Sequence, residues 1–311
     1  MDNIYAKLEC TNPCGSIKDR IAKYIIDESE KKGLLKKGMT IVEATSGNTG
    51  ISVSYYGVSK GYKVIIVMPE NMTQERQQII KQIGAELVLC KAGDFVEAAR
   101  IRDEMAKQPG FFNPDQFSNP LNVECHYKTT GQEIINQMKE HANSIDAFVA
   151  GIGTGGTLIG VAQALKEINP KVYIAAVEPT ESAVMSGKPA GIHGIQGIGD
   201  GFIPEIATDG KGGLHKYIND VICITTQDAT EAAKYLCDKH GYCVGISSGA
   251  NYLAAKQLNK KFNTVVTVFS DGYLKYQSNG LTPCKKGHCS YPEECENIIF
   301  KYCQNKHNKK A

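Results

Sequence analysis

Short apolar runs alternate with segments of helical period along almost the whole chain, and this alternation narrows the possible folds more than any other feature. Thr40–Glu43, Lys63–Met68, Ala85–Cys90, Asp146–Ala150, Val172–Glu178, Asp220–Thr225 and Val265–Phe269 read as strands. Between them, 16–32, 69–83, 95–107, 130–141, 156–167, 229–240 and 249–258 carry the spacing of helices, as does the segment holding Ile51, Val53 and Tyr56. Strand and helix in regular succession imply parallel sheets covered by helices on both faces, with sites at the carboxyl ends of the strands. The segment Pro109–Pro120, with three prolines and Gly110, reads as a linker and suggests two α/β domains with a cleft between them. Residues 187–201 are glycine-rich and read as a long functional loop.

Composition excludes more than it selects. The chain has 311 residues, enough for two domains with real cores. A formal charge of +2 gives no reason to expect nucleic acid or an acidic membrane as partner. Met1–Glu9 does not have the form of a cleavable signal, and no apolar run reaches membrane-spanning length. The expectation is a soluble, cytoplasmic protein. Eleven cysteines, scattered and odd in number, argue for reduced thiols or a metal site over a disulfide framework.

Four motifs carry chemistry. In Thr11-Asn12-Pro13-Cys14-Gly15-Ser16-Ile17-Lys18-Asp19-Arg20, the apolar spacing of Ile17, Ile21, Tyr24 and Ile25 places Lys18 on the first turn of a helix. The turn Thr45-Ser46-Gly47-Asn48-Thr49-Gly50 lies between a strand and a helix, where backbone N–H groups point at an anion. Gly153-Thr154-Gly155-Gly156-Thr157 repeats that context with glycines that let a backbone close around a phosphate. Gly245-Ile246-Ser247-Ser248-Gly249 reads as a further strand entering a helix, with Ser247 either a partner for a ring nitrogen or a plain helix cap. Read from Gly151, the third motif also fits G-x-G-x-x-G with Glu178 downstream, a competing signal for NAD and an oxidoreductase. That reading leaves Lys18, Thr45–Gly50 and Ser247 without a role. A reactive lysine, an anion turn, a phosphate loop and a serine together suggest pyridoxal phosphate.

These motifs, with Gln116-Phe117-Ser118-Asn119-Pro120, resemble in the same order those of cysteine synthase (O-acetylserine sulfhydrylase) and its relative cystathionine β-synthase, over roughly residues 4 to 270. The resemblance implies fold type II of the pyridoxal-phosphate enzymes, usually homodimeric, with the cofactor between two α/β domains. On that pattern, 12–119 is the smaller domain, and 1–11 with 120–311 the larger. Lys18 is then the Schiff-base lysine and the proton carrier at the substrate Cα. Asn48 contacts the cofactor's ring oxygen, and Thr45, Ser46, Gly47, Thr49 and Gln116 grip the substrate carboxylate. Gly153, Thr154, Gly155, Gly156 and Thr157 hold the phosphate, and Ser247, with Ser248 as second candidate, faces the pyridine nitrogen. The implied reaction is β-replacement or β-elimination on a small serine or cysteine derivative through an aminoacrylate, as in making cysteine from O-acetylserine and sulfide. A neutral serine at the ring nitrogen fits this better than transamination. The family also docks the tail of serine acetyltransferase in its cleft, so a binding partner without activity is a further alternative.

The chain departs from the family in three places. Members begin with a further segment containing Gly-Asn-Thr-Pro-Leu before the equivalent of Ile4. Its absence leads to the expectation that the strand before the Lys18 loop is largely missing. Asp200, in Gln196-Gly197-Ile198-Gly199-Asp200-Gly201-Phe202, stands where the sulfhydrylases carry a small apolar residue. A carboxylate there is a candidate base for water, which would make the enzyme a cysteine-consuming, sulfide-producing lyase giving serine or a thioether. Cys284, Cys289, Cys295 and Cys303, with His288, replace the usual tail in a spacing that is no standard metal motif. The turn Phe269-Ser270-Asp271-Gly272 also alters the family's serine-rich turn.

Overall fold

The computed structural model describes residues 3–45, 47–142 and 144–281. The cysteine-rich tail from Cys284 onward and Ser46 lie outside the described residues. The chain opens with strand β1 (Ile4–Leu8). Residues 11–115 then alternate α1 (Lys18–Lys31), β2 (Thr40–Ala44), α2 (Asn48–Ser59), β3 (Lys63–Pro69), α3 (Gln74–Ile83), β4 (Glu86–Cys90), α4 (Phe95–Ala106) and β5 (Phe111–Phe112). After them come α5 (Pro120–His126), α6 (Gln132–Met138), β6 (Ala147–Gly151), α7 (Gly156–Ile168) and β7 (Tyr173–Pro179). The last elements are β8 (Asp220–Ile224), α8 (Thr226–His240), α9 (Ile246–Asn259) and β9 (Val265–Phe269).

The described residues divide into two compact units, one of 11–115 and one of 3–10 with 116–281. In the first, four parallel strands run in the order β4-β3-β2-β5. Its central strand explains why the apolar run is unbroken. Val64, Ile66 and Met68 join Ala22, Ile26, Ile51 and Ile80 in one core, while Ile65 and Val67 join Val42, Ala44 and Ala98 in another. Side chains alternate across a strand, so a sheet clothed on both faces needs an apolar residue at every position. Burying each such side chain contributes about 1.5–3 kcal/mol before chain entropy is counted.

The second unit holds five parallel strands in the order β1-β9-β6-β7-β8. Ala147, Val149, Ala175, Val177 and Val265 pack there against Ala229, Ala233, Ala250 and Ala254 from α8 and α9. Small residues on both sides let these helices lie close to the sheet.

Several sequence expectations change. The strand before the Lys18 loop is present: β1 pairs with β9 from Ile4↔Val265 to Leu8↔Phe269. The proline-rich linker contains β5, which pairs with Thr40 and Ile41 of β2. It also leads into α5, where Asn119 caps the first turn by accepting from Leu121 N and Pro120 takes the first helical position. The single helix expected around 130–141 is instead the end of a longer path in which α5 passes through a π-helical turn, Tyr127–Gly131, into α6. No strand enters Gly245; Val244 makes one isolated antiparallel bridge to Gly272.

Candidate active site

Lys18 is the first residue of α1, and its loop is tied down by the neighbouring acid. The buried Asp19 carboxylate accepts from Cys14 N at 2.6 Å and from Ser52 Oγ of α2 at 2.6 Å. Asn12 Nδ2 donates to Ser16 O at 3.1 Å, and Gly15 N to Asn12 O at 2.7 Å. The approach to Lys18 is thus fixed on both sides by hydrogen bonds that do not involve its ammonium. Asp19 carries this work, and sequence reasoning did not single it out.

The turn expected to grip a carboxylate follows the carboxyl end of β2 and leads into α2, with Thr45 and Thr49 buried and Asn48 half-buried. Gly47 N donates to Thr45 Oγ1 at 3.2 Å. A methyl group added at Gly47 would lie 2.3 Å from Nε of Arg76, a side chain only 2% exposed, so the guanidinium occupies the space a side chain would need. Arg76 also donates to Thr73 Oγ1 at 3.1 Å. A buried cation beside this turn adds to the positive end of the α2 dipole. Nothing in the local sequence marks Arg76; it arrives from α3.

The phosphate-loop motif sits in the other unit, between β6 and α7. Gly155 takes φ +87°, a left-handed conformation that favours glycine. Its turn is braced from α5. Asn122 Nδ2 donates to Thr154 Oγ1 at 2.9 Å and to Gln116 O at 2.8 Å. Thr157 Oγ1 lies 3.2 Å from Nε2 of His126, whose Nδ1 lies 2.8 Å from Thr130 Oγ1 in the π-helical turn. Gln116 is buried beside this loop. The loop holding Asp200 closes on it too. A methyl group at Gly153 would meet Gly197 O at 2.4 Å and lie 3.9 Å from Asp200 Oδ2. Asp200 is half-buried beside the phosphate loop. His193 Nδ1 accepts from Ile195 N at 3.2 Å, so its proton is on Nε2, which donates to Gly199 O at 2.8 Å beside Asp200.

Ser247 and Ser248 lie in the first turn of α9 and are buried. Ser248 Oγ accepts from Ser270 N at 3.0 Å, which commits that hydroxyl to the turn after β9. Ser270 itself follows the carboxyl end of β9, where ligands of parallel sheets bind. Glu178, the acid the dinucleotide reading needs, is spent elsewhere. Its two oxygens accept from Met185 N at 2.8 Å and Ser186 N at 3.0 Å.

The donor set fits a phosphate monoester. Residues 155–157 begin α7 and present backbone N–H groups, and both threonine hydroxyls have neighbours that occupy their other hydrogen-bonding capacity. Within this unit, the residues that fit such a group are therefore Gly153–Thr157, with Asn122 and His126 behind the two threonines.

Comparison with known proteins agrees. The pyridoxal-phosphate dependent enzyme family model matches residues 1–271. A Staphylococcus aureus cysteine synthase is 44% identical over 284 residues, covering 90% of this chain and 89% of the relative. A cysteine synthase structure from Entamoeba histolytica is 38% identical with a TM-score of 0.82, covering 96% of this chain and 87% of the other. A hydrogen sulfide-producing enzyme from Fusobacterium nucleatum is 38% identical with a TM-score of 0.83, again covering 96% and 87%. That enzyme is also solved as an aspartate-to-asparagine variant holding an α-aminoacrylate intermediate. The chain belongs to the pyridoxal-phosphate dependent enzymes and is of the cysteine synthase type.

Proposed function

We propose that the chain makes cysteine from O-acetylserine and sulfide, by β-replacement through an aminoacrylate. The carrying observation is the phosphate cradle, in which Thr154 and Thr157 are braced by Asn122 and His126. Bound pyridoxal phosphate supplies an electron sink that lets the Cα proton and the Cβ substituent leave. Lys18 serves as covalent anchor and carries the Cα proton on Nζ. Thr45, Ser46, Gly47, Thr49 and Gln116 orient the substrate carboxylate, supported by the α2 dipole and Arg76. Asn48 meets the ring oxygen. Ser247 or Ser270 meets the ring nitrogen, with Ser248 as second candidate, since its hydroxyl accepts from Ser270 N and keeps its own proton to donate.

A second reading rests on Asp200. Its half-buried carboxylate near Gly153 suits a base that removes a proton from water attacking Cβ, turning the site toward cysteine breakdown and sulfide release. The sulfide-producing relative favours keeping it. A cytoplasmic homodimer, with serine acetyltransferase as a further partner, completes the reading.

The decisive experiment is an absorption spectrum of the purified protein. A visible band that borohydride abolishes, and that Lys18→Ala lacks, supports the assignment. A colourless protein that takes up no pyridoxal phosphate sinks it.

A further inference from the structure

We propose that Asn122 is a positioning residue that sets Thr154 to face the cofactor phosphate while holding Gln116 toward the substrate carboxylate, so that one buried amide couples the two affinities. The proposal rests on the pyridoxal-phosphate reading above.

Asn122 is wholly buried, and both hydrogens of its amide nitrogen are used. One goes to Gln116 O at 2.8 Å and the other to Thr154 Oγ1 at 2.9 Å. The orientation of the amide is fixed by chemistry. Flipped, its oxygen would face the Gln116 carbonyl, which has no proton to give. Thr154 therefore accepts from Asn122, and a hydroxyl has only one proton. That proton is left to donate away from Asn122, toward the mouth of the loop where a phosphate oxygen would sit. The same amide clamps the Gln116 carbonyl and so limits the directions its side chain can take.

The third contact shows that the arrangement is built around this residue. Asn122 Oδ1 is buried without a hydrogen-bond partner, and a methyl group at Gly156 would lie 1.9 Å from it. Gly156 is bare because the Asn122 amide fills that space. A buried acceptor left unsatisfied costs stability, which a residue kept only for packing would not require. An apolar side chain of similar size would fill the space without that cost.

The test uses Asn122→Asp, which preserves shape and reverses polarity. The introduced carboxylate accepts the Thr154 proton, turning that hydroxyl away from the phosphate, and adds a negative charge nearby. Pyridoxal phosphate affinity of the apoprotein, titrated by fluorescence, should weaken at least about tenfold, since a hydrogen bond to a charged group is worth a decade or more. Asn122→Ala should weaken it less. With cofactor saturating, both variants should raise KM for the amino-acid substrate more than they lower kcat. Thr154→Val should mimic the loss of cofactor affinity, Thr154→Ser should retain it, and Asn122→Ala should add little to Thr154→Val. The two Thr154 variants keep the test decisive if Asn122→Asp does not fold. Unchanged cofactor affinity in folded Asn122→Asp, or full additivity with Thr154→Val, overturns the proposal while leaving the enzyme assignment intact. A wild-type protein that binds no pyridoxal phosphate overturns both.

Discussion

Asp200 is the residue we propose as the one on which the direction of the chemistry turns. Its half-buried carboxylate lies toward Gly153, and its loop is held by Gly199 N to Ile152 O at 2.9 Å and by His193 to Gly199 O. If it activates water at Cβ, Asp200→Asn should lower sulfide release from cysteine by roughly 10²–10⁴-fold, the usual worth of a general base. Synthesis of cysteine from O-acetylserine and sulfide should fall much less. Steady-state rates with both substrate pairs measure this, and equal losses in the two directions would refute the base role. Lys18, Asn48, Thr154 and Asp200 were legible as candidates because each lies inside or beside a contiguous motif. Asp19, Arg76, Asn122 and His126 were not. Asp19 stands inside the Lys18 motif, but its work shows only in its bonds to Cys14 N and Ser52 Oγ; the other three reach their motifs from other elements, and a buried Asn or Arg has no signature in a linear string.

At the scale of elements, the regular strands and helices were readable because their apolar periods are long and clean. The failures share a cause. Two residues of β5 exist as strand only because β2 offers them a register, and α5 begins in a proline-rich stretch whose turn signals mask its cap. Local environment also sets a pH response. Burial, and next the nearby Lys216 ammonium, push the His215 imidazole below its ordinary value. Its Nδ1 accepts from Tyr217 N at 3.3 Å and its ring lies 4.8 Å from that of Tyr217. The folded state therefore prefers neutral His215, and the unfolded chain binds the proton more readily. Its contribution should be whole above about pH 6.5 and be lost as pH falls through the lowered folded value. Accordingly His215→Gln should flatten part of the fall in urea midpoint between about pH 7 and pH 5. A fall as steep as in the wild type would exclude His215 as its source.

For the whole molecule, the two units differ in how the chain reaches them. The described part of one is the continuous run 11–115, whereas the other joins 3–10 to 116–281. Local connectivity favours rapid closure, since loop entropy is paid early and only once for short loops. Pulse-labelled hydrogen exchange during refolding should protect β2 and β3 amides before those of β1 and β9. Earlier protection of the β1–β9 pair would show that the long closure leads. The apolar alternation announced parallel sheets covered by helices, but β1 was expected to be largely missing. Its five residues carry no helical or motif signal of their own and gain meaning only from a partner near the other end of the chain.

That pairing has a consequence for synthesis. On the ribosome, Ile4–Leu8 emerges long before its neighbour Val265–Phe269. At about 5–20 residues per second, the opening strand waits on the order of tens of seconds with an unpaired edge. During that interval it is open to chaperones and to a neighbouring nascent chain. The arrival of β9 ends the exposure.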